Sequence, residues 1–232
     1  MTEIYISYFA RQPIVCTAVF TTAIPLVLIF VRKAYIDPVF LILLIYLIFK
    51  FLLEITMFHY ASNKINNIVF DSLHVILRYC LLSSMFYYKI ESKYLKKLLL
   101  ISILGFLILA VWDFFKVNKN LFETHNHQEF LYTTTIECIL MIFWILSYFY
   151  ETIRSLKIPN LLSYPFFWVC SGMLLFYSSS VFIAPLFHYT FKWENYIDIG
   201  FLVYVPSIFD IICMFFFGIG ASFFSARYYA KQ

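Results

Sequence analysis

Seven times along this chain a run of about 20 residues passes with little or no charge, and that recurrence constrains the fold more than anything else. The runs cover residues 13–31, 38–60, 67–88, 98–115, 130–150, 162–187 and 197–224. At a rise of about 1.5 Å per residue each run suits the roughly 30 Å hydrocarbon layer of a bilayer. Backbone groups in that layer find no water, and a helix satisfies its own. The expected fold is therefore all-α, a polytopic membrane protein whose seven transmembrane helices form one domain over residues 1–232. Composition agrees, with 63% hydrophobic and 13% charged residues, against roughly 45–50% and about 25% in soluble domains.

Five Gly and seven Pro leave no stretch for a flexible linker or a second soluble domain. The net charge of +4 is small and implies no nucleic-acid partner. The opening residues 1–8 lack a basic region, so the first run is expected to be retained. Each of the five cysteines, Cys16, Cys80, Cys138, Cys170 and Cys213, falls in a different run. No CxxC pair occurs, and they read as small buried hydrophobes.

Basic residues orient the bundle. Arg32, Lys33, Lys89, Lys93, Lys96, Lys97, Arg154, Lys157, Arg227 and Lys231 fall on one side, which is ten. Arg11, Lys64, Lys116, Lys119 and Lys192 fall on the other, which is five; Lys50 and Arg78 lie within the runs. The positive-inside bias predicts an outer N-terminus and a cytoplasmic C-terminus. The lipid bilayer is the first expected partner.

The third run is the least ordinary. Asp71, His74 and Arg78 share one helical face, since positions i, i+3 and i+7 superpose within about 60°. A charge at membrane depth costs a few kcal/mol, so such residues face a bundle interior or a wet cavity. Glu54, Glu137 and Asp210 add acids from the second, fifth and seventh runs. With the expected orientation, these groups collect in the outer half around one interior arginine. Two readings compete. In one, Arg78 pairs with Glu54, Glu137 or Asp210 and fixes which helices are neighbours, without adding net stability. In the other, Glu54, Asp71, His74, Arg78, Glu137 and Asp210 line an outward-facing pocket for a small polar or cationic ligand. Lys50, four residues before Glu54, is expected to pair with it or to snorkel; a Schiff-base role is the functional alternative. His125 and His127, with His59 or His188, are weak metal candidates in or near outer loops.

Several chemistries lack their residues. A retinal protein needs a lysine in the last run, and residues 197–224 hold none, so retinal is not expected. Seven-helix zinc hydrolases place histidines there, and none is present. No Gly-rich nucleotide loop, nucleophile elbow or other recognisable catalytic set occurs, so no cofactor is expected and an enzyme is disfavoured.

In the sixth run, Pro165-Phe-Phe167-Trp168-Val-Cys-Ser171-Gly172 follows Ser147-Tyr-Phe-Tyr-Glu151 from the fifth. This resembles a group of small seven-helix membrane proteins of Bacteroidetes-type bacteria. In them a Pro-x-Phe-Trp-x-x-x-Gly element opens the same helix, and acids recur in the second, third and fifth runs. Glu54 and Glu137 fit that pattern, whereas Arg78 stands where an acid belongs. The resemblance implies a sensor-like membrane module beside signalling proteins, with a bacterial inner membrane as the expected location. Physically, Pro165 suits a first helical turn, Trp168 an interface and Gly172 a close helix contact. The expected function is a receptor or sensor that signals to a separate cytoplasmic or membrane partner. A small proton- or cation-coupled transporter and a structural subunit of a larger complex are the alternatives.

Overall fold

A computed structural model describes residues 2–118, 130, 132–155, 160–192 and 200–224. It is helical, with no strand among the described residues. Helix α1 (Thr2–Arg11) is amphipathic and ends at Gln12, where the following proline disfavours helical backbone. Helices α2 (Pro13–Thr21) and α3 (Ala23–Val31) form the first span, interrupted at Thr22. The interruption follows from Pro25, which has no N–H to give the Thr21 carbonyl. Then come α4 (Pro38–Ser62), α5 (Ile68–Lys89), α6 (Lys93–Val117), α7 (Thr133–Ser155), α8 (Pro165–Lys192) and α9 (Val205–Phe223). Seven spans among these helices are long and apolar enough to cross a membrane, which makes this an integral, multi-pass membrane protein.

The helix ends show local causes. Asp37 caps α4 by accepting from the Val39 N–H at 2.8 Å, with Pro38 at the first helical position. Helix α4 closes in a Schellman motif. Ile65 N–H bonds the Tyr60 carbonyl (2.9 Å) and Lys64 N–H the Ala61 carbonyl (3.1 Å), with Lys64 left-handed at φ 58°. Helix α6 starts at Lys93, five residues before the expected 98, because Ser92 caps it and lysine is a good helix former. Helix α7 starts at Thr133 rather than 130. Asp113 of α6 accepts there from the N–H of Tyr132 and of Thr133 (both 2.9 Å) and from the Thr133 hydroxyl (2.7 Å).

We call the end carrying α1 and residues 63–67 the upper end, and that carrying residues 90–92 the lower. The lower half is packed with aromatic rings, and Lys89 and Asp37 pair at 3.3 Å toward its end. Phe86, Tyr148 and Phe166 meet tilted or edge to face with centroids 5.0–6.2 Å apart, and Phe40 meets Phe224 at 5.6 Å. Glycines let α9 approach its neighbours. A Cβ on Gly172 would lie 2.7 Å from that of Phe216, and one on Gly220 only 2.8 Å from the Pro165 carbonyl oxygen. Helix α6 sits outermost, exposing Leu104, Ile108 and Val111 along one side as a lipid-facing surface requires.

Candidate functional site

Helix α5 places Asp71, His74 and Arg78 on successive turns facing the same space, as their spacing requires. That space is a cavity of about 290 Å³ in the upper half of the bundle. Lys50 and Glu54 of α4 and Asp210 of α9 complete its charged lining. Residues from α1 and α2, among them Tyr8 and Val15, border it as well. Helix α1 is held over this end by Tyr5, whose hydroxyl is 2.7 Å from Nδ1 of His59, and by packing of Tyr5 and Tyr8 on Phe58.

The charges fall into two closed groups and one open pair. In the first group Lys50 bonds Glu54 one turn along the same helix and reaches Asp210 across the bundle at 2.9 Å. Glu54 also accepts from the hydroxyl of Thr22, at the junction of α2 and α3, at 3.0 Å. In the second group Arg78 makes a bidentate contact with Glu137, both bonds at 2.6 Å. Tyr177 adds its hydroxyl to the same carboxylate at 3.1 Å, and the guanidinium carbon lies 5.2 Å from the Phe176 ring centroid. Glu137 is fully buried and does not itself line the cavity. The open pair is Asp71 and His74. The Asp71 carboxylate makes no hydrogen bond or ion pair with any described residue, while its backbone N–H bonds the Asn67 carbonyl at 3.3 Å. His74 stacks on Tyr46 and is only 7% exposed, yet its Nε2 has no hydrogen-bond partner among the described residues.

Two expectations are corrected by this arrangement. Glu137, expected to line the pocket, is instead enclosed by its bonds to Arg78 and Tyr177. The acids do not gather around a single interior arginine. Two buried bases divide them, because Lys50 reaches inward to Asp210 instead of snorkelling away. Asp210, Thr22 and Tyr177 could not be joined to these groups by spacing alone, since their partners lie on other helices. Pro25 was the available signal for Thr22, as it forces a break beside a hydroxyl. Of the weak metal candidates, His59 is bonded to Tyr5. His125, His127 and the side chain of His188 lie outside the described residues. Among the described residues no group of three or more His, Cys, Asp or Glu is placed to hold a metal. Comparison with protein-family models, with curated proteins and with solved structures finds no match to this chain.

Proposed function

We propose that this protein is a membrane receptor or sensor module that binds a small polar or cationic ligand in the upper cavity. The observation that carries the reading is the contrast along the bundle: a charged cavity above and packed aromatics below. A site built this way admits a ligand from one side and offers it no path to the other. In this reading the upper end faces outside and the C-terminus the cytoplasm, an orientation supported by the excess of lysine and arginine on the lower side. The membrane under this reading is a bacterial inner membrane. Signal output passes through a partner in the cytoplasm or the membrane. Binding shifts α4, α5 or α9, whose charges line the cavity, and the partner reads the shift at the lower end.

The test uses the intact protein in proteoliposomes. Mass spectrometry identifies the small molecule that copurifies, and the same molecule is then offered as a radiolabelled tracer. Saturable binding with no uptake into the vesicles supports the receptor. Uptake that depends on a proton or cation gradient contradicts it and favours the transporter.

A further inference from the structure

The ionisable groups of the cavity are unequal in one respect. Lys50, Glu54 and Asp210 satisfy one another, and Arg78 is held by Glu137. Asp71 and His74, one turn apart on α5, have no such partners among the described residues. A buried ring nitrogen left unpaired is unusual in a folded protein and calls for a partner. Resting on the ligand-pocket reading above, we propose that Asp71 and His74 are the contacts for a small organic ammonium ion.

Three observations set that ligand class. First, the sign of charge is right. Glu54, Asp71 and Asp210 line the cavity and Glu137 lies next to it, which is four acids against the two bases Lys50 and Arg78. An anion would meet the unpaired Asp71 carboxylate as a like charge, whereas an ammonium group donates to it and gains a charge-assisted bond. A second N–H of the same group donates to Nε2 of His74. Second, the rings of Tyr8 and Phe58 border the cavity, and aromatic faces attract organic cations. Third, the size is right: 290 Å³ is the volume of about ten waters at about 30 Å³ each, enough for a short alkyl or arylalkyl amine.

The experiment titrates the full-length protein in nanodiscs with phenethylammonium chloride. Its neutral and anionic analogues, phenethyl alcohol and 3-phenylpropionate, are run beside it, with binding followed by calorimetry and thermal unfolding. The ammonium is expected to bind saturably and raise Tm, and the analogues are not. Asp71→Asn is expected to weaken ammonium binding about tenfold or more, and His74→Phe by about fivefold. Asp71→Glu, which keeps the charge, restores part of the affinity, a rescue that a merely structural role would not give. Lys93→Ala, on an exposed lysine outside the cavity, leaves binding unchanged. Ammonium binding indifferent to both Asp71→Asn and His74→Phe overturns the assignment of the site. Binding of the alcohol or the carboxylate in place of the ammonium overturns the ligand class and leaves the cavity a binding site. Silence of all three probes overturns the proposal, while the receptor reading stands or falls separately on the copurified molecule and its flux.

Discussion

The upper and lower halves of the bundle solve the same problem differently. Both lie within helices that cross an apolar layer, where an unpaired polar group is expensive. The lower half avoids the expense with rings such as Phe86, Tyr148 and Phe166, and with glycines that let α8 and α9 approach closely. The upper half carries charge and closes most of it into the Lys50–Glu54–Asp210 and Arg78–Glu137 groups. The difference teaches where function belongs. The packed half closes its groups on one another, whereas the charged half retains, among the described residues, an Asp71 carboxylate and a His74 Nε2 without partners beside a cavity.

The contrast can be broken at several points. The largest effect is expected from Glu137→Gln, which leaves Arg78 inside the bundle without its counter-charge. Breaking a buried pair in this way costs about 3–5 kcal/mol, and thermal unfolding in detergent should show it against Lys93→Ala as the unchanged control. Gly220→Val tests the lower half by volume instead of charge. Its added Cβ would meet the Pro165 carbonyl oxygen and the Val169 side chain, at a cost of about 1–3 kcal/mol for overpacking. The same unfolding measurement applies, and an unchanged Tm would mean that α8 and α9 are not held this close.

Smaller effects sharpen the division within the upper half. Asp210→Asn removes one of two acids from Lys50 and leaves Glu54 in place. We expect a loss of about 1–2 kcal/mol, less than for Glu137→Gln. The smallest change is expected from Lys64→Gly at the left-handed end of α4. Relief of the φ 58° backbone is partly offset by the entropy glycine loses on folding, for a net gain between zero and about 1 kcal/mol. A loss of stability there would mean that the Lys64 side chain contributes something beyond the turn.

The sequence made some of this legible and concealed the rest for physical reasons. The seven spans could be read because a bilayer demands a run of apolar residues of set length, and local periodicity put Asp71, His74 and Arg78 on one face. Helix ends were less legible where the cap is remote, as with Asp113, which holds the start of α7 from twenty residues away. The pairing of charges was the least legible. Lys50 and Glu54 are one turn apart and could be joined on sight, but Lys50 and Asp210 are 160 residues apart and meet only through packing. Periodicity names the face a residue occupies and is silent about what stands opposite.

The central claim is that the upper half holds a water-accessible cavity at Asp71 while the lower half is sealed. Single cysteines at Asp71 and at Ser83, fully buried farther down the same helix, test it in a background with the five native cysteines replaced by alanine. Each variant, in nanodiscs, is exposed to a small water-soluble methanethiosulfonate reagent, and the labelling rate is followed by mass spectrometry. The account predicts that Asp71→Cys reacts at least about tenfold faster than Ser83→Cys, because only hydrated thiols ionise readily. Equal rates at the two positions, or faster labelling at Ser83→Cys, would contradict it.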